Sequence, residues 1–219
     1  SIFMNFLFTA AGRGSRFVKE GIKPPKPLVK VLDTELLIWS MRSFNFSCED
    51  KIFIVTQKFH QVRDRLEKKL NLLYPNIQIN WLELNYFPNG QLNTALDTIN
   101  HFNIKGQLII HNCDTFYSCD VDEIKGDLEK ENVFGVIPCF EGDGNNWSFI
   151  KTKKDNPKKA IEVKEKNRIS KNCSVGTYAF SSCQELIELS SKYFNEVTIN
   201  LSEYYIAPIY QFAIEKYKI

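Results

Sequence analysis

The segment Phe6-Leu-Phe-Thr-Ala-Ala-Gly-Arg-Gly-Ser-Arg16 joins an apolar run to a glycine-spaced basic loop, and the rest of the chain is interpreted around it. Gly12 and Gly14 have no Cβ, so the backbone can turn tightly there and present bare N–H groups. Arg13 and Arg16 add positive charge beside those groups. N–H groups and cations together suit phosphate. The segment therefore predicts a buried strand that ends in a nucleoside triphosphate site, although similar glycine pairs also occur in ordinary turns.

Composition narrows the classes of function. With 219 residues and 43% hydrophobic content, the chain can bury one large core, which predicts a single domain over residues 1–219. A formal net charge of +2 argues against a nucleic-acid partner. The six cysteines form no Cys-x-x-Cys pair, which predicts free thiols in the cytoplasm. No apolar stretch is long enough to span a membrane, and no signal peptide is recognised.

Apolar runs alternate with segments of helical periodicity, which is typical of an α/β fold with a mostly parallel sheet. The predicted strands are Ile2–Thr9, Leu28–Leu32, Lys51–Thr56, Ile77–Leu82, Gln107–Asn112, Val133–Cys139 and Val175–Phe180. The predicted helices are Glu35–Phe44, His60–Tyr74, one after Gly90, one from Asp120, one from Ser182 to about Tyr193, and Glu203–Tyr217. The lysine-rich segment 148–171 shows weak strand character, and its lysines are interpreted mainly as a solvated loop.

Three further features point to phosphate chemistry, and each has a plainer reading. Lys26 lies between two prolines on a stiff extended segment, but it could be one more solvated lysine. Asp114 follows a buried strand at the edge where open α/β sheets bind ligands, which predicts a metal ligand, but it could cap a turn. Gly90 opens a helix whose first N–H groups we expect to be free, but the turn could be an ordinary connection.

Two other features are expected to have no catalytic role. His111 lies in an apolar strand and is predicted to be a structural residue. Asp120-Val-Asp122 matches the Asp-x-Asp metal motif of glycosyltransferases. It stands at the start of a helix, however, where acidic residues cap the helix and favour its dipole, so capping is the preferred interpretation.

Taken in order, these segments resemble the NTP-transferase (sugar-phosphate nucleotidyltransferase) family over essentially the whole chain. The resemblance rests on Ala10-Ala-Gly-Arg-Gly-Ser-Arg-Phe17, Pro25-Lys-Pro-Leu28, Gly90, Asn112-Cys-Asp114, Glu165-Lys166, Val175-Gly-Thr-Tyr178 and Glu203-Tyr-Tyr-Ile-Ala-Pro208. It implies a Rossmann-like, glycosyltransferase-A-type sheet flanked by helices. It also implies an enzyme that joins a nucleoside monophosphate from an NTP to a phosphorylated small molecule, with Mg²⁺ as cofactor and pyrophosphate as product.

The resemblance assigns roles residue by residue. The residues implied to be catalytic are Arg16, Lys26 and Asp114, with Asp114 also holding Mg²⁺. Those implied to hold the nucleotide are Ala10, Ala11, Gly12, Arg13, Gly14, Ser15 and Gly90. Those implied to face the acceptor are Glu165, Lys166, Gly176, Glu203 and Tyr205. The nucleotide-binding part then covers about residues 1–115 and the acceptor-binding part about 116–219.

Short members with these motifs resemble enzymes of bacterial capsule and surface-glycan assembly. CTP with phosphoglutamine is one substrate pair that this implies, and a hexose or heptose 1-phosphate is an alternative acceptor. A second metal ligand, usual in the family, is expected beyond residue 219 or absent. A nucleotide-sugar-dependent glycosyltransferase using Asp120 and Asp122, and a catalytically silent nucleotide-binding regulator, remain as alternatives. The sequence does not indicate an oligomeric state.

Overall fold

The computed structural model describes residues 3–196 and 203–217. The strands in chain order are β1 (Asn5–Ala10), β2 (Lys30–Val31), β3 (Thr34–Glu35), β4 (Lys51–Gln57), β5 (Gln78–Leu84), β6 (Leu108–Asn112), β7 (Gly135–Val136), β8 (Cys139–Glu141), β9 (Ser148–Lys153), β10 (Asn156–Glu165), β11 (Asn172–Ser174) and β12 (Thr177–Phe180). The α-helices are α1 (Ser15–Lys19), α2 (Leu36–Met41), α3 (Val62–Leu73), α4 (Gln91–Phe102), α5 (Val121–Leu128), α6 (Cys183–Glu196) and α7 (Ala207–Tyr217). Short 3₁₀ helices occupy Lys26–Leu28 and Lys58–His60.

The main sheet has six strands in the order β5-β4-β1-β6-β12-β7. β1 pairs in parallel with β4 and β6, and β4 pairs in parallel with β5. β12 runs antiparallel to β6, and β7 antiparallel to β12. The predicted α/β fold with a mostly parallel sheet flanked by helices is therefore confirmed.

Helices cover both faces of this sheet, which explains why β1, β4 and β6 are almost entirely apolar. One face packs Leu7, Val55 and Ile110 against α4, α6 and α7. The other packs Phe6, Phe8, Ile54 and Ile109 against α2, α3 and α5. Successive residues of a strand thus enter opposite halves of the core. No described helix has the length and apolar character that a membrane crossing requires.

A second, antiparallel sheet has the order β10-β9-β11-β8. The weak strand character of residues 148–171 is confirmed, but the interpretation of their lysines as a solvated loop was wrong for those on β9 and β10. The two long strands of this sheet, β9 and β10, point most of their lysines to solvent, so the composition resembles a loop. Val163 is buried in β10, and its backbone N–H donates to the Gln211 side chain on α7 over 2.7 Å. The hairpin is stabilised by the pairing of β9 with β10 and by the contact of β10 with α7, and the local sequence pattern does not show either contact.

Several predicted boundaries also change. The segment 133–139 divides between the two sheets, as β7 and the start of β8. The strand predicted over 175–180 begins at Thr177, as β12. The last helix begins at Ala207 rather than Glu203. The backbone of Tyr204 is hydrogen-bonded to the turn before α4, so it is not available to a helix. The predicted strand 28–32 is reduced to β2, because Leu32 and Asp33 turn the chain back into β3 with positive φ angles of 50° and 62°.

Candidate active site

The glycine loop leaves the carboxyl end of β1, at the centre of the parallel strands. Ala10 and Ala11 are buried, whereas Gly12 and Arg13 are exposed. Gly14 adopts a left-handed conformation with φ of 60°, which a residue without a Cβ accepts readily, and α1 begins at Ser15. The predicted loop therefore has an exposed backbone at an edge where open α/β sheets bind ligands.

Lys26 and Asp114 meet at this edge. The Lys26 Nζ lies 2.7 Å from a carboxylate oxygen of Asp114, and each side chain is about one third exposed. Lys26 also lies beneath the loop, since a Cβ on Gly14 would be 3.7 Å from the Lys26 Cβ. Burial disfavours the ammonium of Lys26, but the neighbouring Asp114 outweighs this and raises the Lys26 pKa above 10.5. Lys26 therefore carries its positive charge at neutral pH.

The two arginines of the loop differ in their contacts. The Arg13 guanidinium lies 4.2 Å from the centre of the Phe87 ring, in cation–π geometry. Arg16 is exposed, and its charge opposes the ammonium of Lys26 electrostatically. Within residues 3–196 and 203–217 the Arg16 side chain forms no ion pair or hydrogen bond. The loop thus places Arg16 and Lys26 close enough to bind one polyanion together.

Gly90, before α4, lies against the segment that precedes α7. Its φ is 105°, and a Cβ there would overlap the backbone of Tyr204. The Tyr204 N–H donates to the Asn89 carbonyl over 2.7 Å, and the Leu92 N–H donates to the Tyr204 carbonyl over 3.2 Å. The expectation of free N–H groups at this helix start was therefore wrong for Leu92, whose partner is a segment 112 residues away in sequence.

Three predicted acceptor-side residues form one hydrogen-bonded chain, and a fourth, Glu165, precedes one of them in sequence. The Lys166 ammonium donates to the Tyr205 hydroxyl over 2.9 Å, and that hydroxyl donates to a Glu203 carboxylate oxygen over 3.0 Å. Glu165 accepts a hydrogen bond from the Ser148 hydroxyl. Burial raises the Glu165 pKa above 4.5, and the nearby negative charge of Glu203 adds to this. The chain joins the end of β10 to the same segment that contacts Gly90.

Gly176, the fifth predicted acceptor-side residue, lies beside the end of β6. Its φ is 92°, and a Cβ there would overlap the side-chain amide of Asn112. The Asn112 N–H donates to the Gly176 carbonyl over 3.3 Å. Gly176 therefore packs against the end of the strand that leads, two residues later, to Asp114.

His111 is fully buried, as its apolar strand predicted. Its Nδ1 lies 2.8 Å from the Thr177 hydroxyl, and its Nε2 lies 2.8 Å from the Thr115 carbonyl. Burial lowers the pKa of His111 to about 4. The imidazole is therefore neutral at physiological pH and is not exposed to a substrate.

Asp120 acts as a helix cap, which was the preferred interpretation of the Asp-x-Asp motif. Its carboxylate accepts a hydrogen bond from the Glu123 N–H over 3.0 Å at the start of α5. This contact explains Asp120 as a helix cap, and it lends no support to a glycosyltransferase site.

Sequence reasoning missed two glutamines that hold the site together. The Gln57 side-chain amide, 1% exposed, donates to the Ala11 carbonyl over 2.7 Å and to the Tyr86 carbonyl over 2.9 Å. The Gln91 side-chain amide donates to the Thr9 hydroxyl over 3.0 Å. A glutamine at the end of the otherwise apolar run Lys51-Ile-Phe-Ile-Val-Thr-Gln57 was the available signal.

The oxygen donors near Asp114 fit a Mg²⁺ ion whose other ligands come mainly from the substrate phosphates. No group of three or more His, Cys, Asp or Glu side chains suited to a metal occurs within the described part of the chain. Mg²⁺ at phosphate sites is usually held by one or two carboxylates together with phosphate oxygens and water. Asp114 supplies one partly exposed carboxylate, and the buried Oδ1 of Asn112 lacks a hydrogen-bond partner among these residues.

No protein-family model and no curated protein matches this chain. Among solved structures, the nucleoside-diphosphate-sugar pyrophosphorylase from Vibrio cholerae RC9 is similar with a TM-score of 0.82 and 26% identity, over 97% of this chain and 88% of that one. The inositol-1-phosphate CTP transferase from T. maritima is similar with a TM-score of 0.69 and 12% identity, over 98% of this chain and 82% of that one. A UDP-glucose pyrophosphorylase complexed with UDP-glucose is similar with a TM-score of 0.73 and 14% identity, over 98% of this chain and 88% of that one. The chain thus has the nucleotidyltransferase fold, and its likeness to the Vibrio cholerae protein supports the prediction that it is a nucleotidyltransferase.

Proposed function

We propose that this protein is a Mg²⁺-dependent nucleotidyltransferase that joins a nucleoside monophosphate from an NTP to a phosphorylated small molecule and releases pyrophosphate. The observation that carries the proposal is the 2.7 Å ion pair between Lys26, beneath the glycine loop, and Asp114, after β6. A cation for phosphate and a carboxylate for a metal therefore lie together beside an exposed glycine loop.

The reaction needs two polyanions to be aligned, and this chain has suitable groups. An oxygen of the acceptor phosphate would attack the α-phosphorus of the NTP, and the bond from that phosphorus to the bridging oxygen of pyrophosphate would break. The acceptor phosphate is largely ionised at neutral pH, since its second pKa is about 6, so no general base is required. Arg16 and Lys26 would bind the phosphates and neutralise their charge. Mg²⁺, held by Asp114 when bound, would supply further charge neutralisation.

Nucleotide and acceptor would occupy adjoining parts of the molecule. Residues from Ala10 to Ser15, with Gly90, would hold the nucleotide within a part covering about residues 1–115. Glu165, Lys166, Gly176, Glu203 and Tyr205 would bind the acceptor within the remainder of a single domain. The contact of Gly90 with Tyr204, beside Glu203 and Tyr205, supports this adjacency.

The finer proposal names substrates and setting. We favour a sugar phosphate or a related phosphorylated metabolite as acceptor in bacterial capsule or surface-glycan biosynthesis in the cytoplasm, with CTP and phosphoglutamine as one specific pair. The structural neighbours include an inositol-1-phosphate CTP transferase and a nucleoside-diphosphate-sugar pyrophosphorylase, which are compatible with CTP as donor and with a sugar phosphate as acceptor.

A pyrophosphate-release assay tests the proposal. Each of the four NTPs is combined with phosphorylated sugars and phosphorylated amino-acid derivatives, including phosphoglutamine, in Mg²⁺ and in EDTA. We expect one NTP and one acceptor class to release pyrophosphate in Mg²⁺ only. Transfer from a nucleotide sugar without pyrophosphate would indicate a glycosyltransferase, and nucleotide binding without turnover across the panel would indicate a regulator.

A further inference from the structure

Two buried polar side chains converge on the loop that follows Asp114. The His111 Nε2 lies 2.8 Å from the Thr115 carbonyl oxygen, and the Ser43 hydroxyl donates to the same oxygen over 3.3 Å. His111 is 0% exposed and Ser43 is 3% exposed. A carbonyl oxygen only accepts hydrogen bonds, so the Nε2 of His111 must carry the proton. The residue next to Asp114 is therefore fixed from inside the core.

The other nitrogen of His111, Nδ1, completes the hydrogen bonding of the ring. Nδ1 lies 2.8 Å from the Thr177 hydroxyl oxygen, which lies 2.7 Å from the Tyr117 hydroxyl. In a neutral ring that is protonated at Nε2, Nδ1 is an acceptor, so Thr177 donates to it and Tyr117 donates to Thr177. These contacts, which we call the His111 relay, connect β12 to the Asp114 loop. The side chains of Tyr117, Thr177, His111 and Ser43 make these hydrogen bonds, and none of the four residues is among the predicted binding residues.

The surroundings of His111 make a purely packing role unsatisfactory. Its ring contacts the aromatic rings of Phe8 and Phe44, with centroid distances of 6.1 and 5.0 Å, and it is enclosed by the core. An apolar side chain would fill this space without the cost of burying polar atoms. The hydrogen bond to the Thr115 carbonyl is the contact that such a side chain could not make.

We propose that His111 is a positioning residue that holds Asp114 in place for a metal-bound nucleotide, and that the Thr177 hydroxyl holds the His111 ring in the orientation that this requires. The inference rests on the proposed function of the Asp114 site. Groups that orient a ligand carboxylate or histidine from behind typically change metal affinity by about 10- to 100-fold when they are removed. Loss of the His111 relay is expected to weaken metal affinity by a similar factor.

The test compares Thr177→Val with Thr177→Ser. Valine matches threonine in shape but removes the hydroxyl, whereas serine keeps it. Mn²⁺ binding is measured by electron paramagnetic resonance with CTP, ATP, GTP and UTP in turn, without acceptor, and imidazole ¹⁵N NMR reports the hydrogen bond to the Nδ1 of His111. We expect Thr177→Val to weaken Mn²⁺ binding at least about tenfold and to shift the Nδ1 resonance, with Thr177→Ser close to wild type.

Turnover gives a second readout on the same variants. For the NTP that supports pyrophosphate release, Thr177→Val should raise the half-saturating Mg²⁺ concentration by the same factor as the Mn²⁺ dissociation constant. If Thr177→Val does not fold, Tyr117→Phe replaces it, with a smaller loss of Mn²⁺ affinity expected in the same direction.

The outcomes separate this inference from the proposed function. The His111 relay is overturned if folded Thr177→Val and Thr177→Ser bind Mn²⁺ with equal affinity. Where Tyr117→Phe is used instead, it is overturned if that variant and the wild-type protein bind Mn²⁺ equally. An absence of turnover with every substrate pair overturns the proposed function, while Mn²⁺ binding and the Nδ1 resonance still decide the relay. Failure of the wild-type protein to bind Mn²⁺ with any of the four nucleotides overturns both.

Discussion

The Lys26–Asp114 ion pair leads to a prediction for single side chains. Asp114→Asn and Lys26→Ala should each reduce turnover by at least about a hundredfold, because each removes one preorganised electrostatic partner of the phosphates. Both side chains are about one third exposed, so the loss of stability should be small. Initial rates of pyrophosphate release, with thermal unfolding as a check on folding, test this. Asp120→Asn is the control, since Asp120 caps α5, and undiminished turnover in Asp114→Asn would exclude Asp114 as the principal metal ligand.

His111 leads to a prediction about acid stability. Its pKa is lowered to about 4 by burial, from an ordinary value of 6.5. Between these values the unfolded chain binds a proton that the folded chain does not, so the free energy of unfolding falls as pH falls from 6.5 towards 4. The slope from this group is up to about 1.4 kcal/mol per pH unit. Burial also lowers the pKa of His60, which acts in the same direction. Urea unfolding between pH 7 and 4.5 should give a shallower slope for His111→Gln, and an unchanged slope would contradict this origin.

At the scale of elements, two glycines should respond oppositely to alanine. Gly90 has φ of 105°, and a Cβ there would overlap Tyr204, so Gly90→Ala should displace the turn before α4 and weaken nucleotide binding. Gly126 lies inside α5 with open space around it, so Gly126→Ala should stabilise the fold by up to about 1 kcal/mol without affecting nucleotide binding. Calorimetric nucleotide titrations and urea unfolding measure both effects. Equal nucleotide affinity in the two variants would contradict a role for the Gly90 turn.

The elements also explain which predictions from sequence succeeded. β1, β4 and β6 are buried on both faces, so their apolar runs alone predicted them. β10 showed only weak strand character, because its pairing with β9 and its contact with α7 leave little trace in a lysine-rich sequence. The contact between the Gly90 turn and Tyr204 depends on hydrogen bonds between segments far apart in the chain, and local periodicity carries no information about these.

At the scale of the whole molecule, the candidate site collects groups from distant parts of the chain. The resemblance to a family predicted Lys26, Asp114 and Gly90 together, and residue types alone left each of them with a plainer reading. The polar groups behind them, such as Gln57 and His111, were not predicted as site residues, because a buried side chain that bonds to a backbone carbonyl can belong to any core. Sequence therefore led to predictions for groups that would touch substrate, and to none for the buried groups that hold the loops behind them.

This assembly predicts that ligand binding stabilises the whole fold. A metal-bound NTP that touches the glycine loop, the Asp114 loop and the Gly90 turn at once would bind the folded chain only. At 100 times its dissociation constant, such a ligand adds about 2.7 kcal/mol to the free energy of unfolding. For a chain of this size that corresponds to a rise of roughly 5 to 10 °C in the midpoint of thermal unfolding. Scanning calorimetry with the NTP that supports turnover should show this rise in Mg²⁺, a smaller rise in EDTA, and no difference between Mg²⁺ and EDTA for Asp114→Asn. An equal rise in Mg²⁺ and EDTA for the wild-type protein would mean that the nucleotide binds without its metal at Asp114.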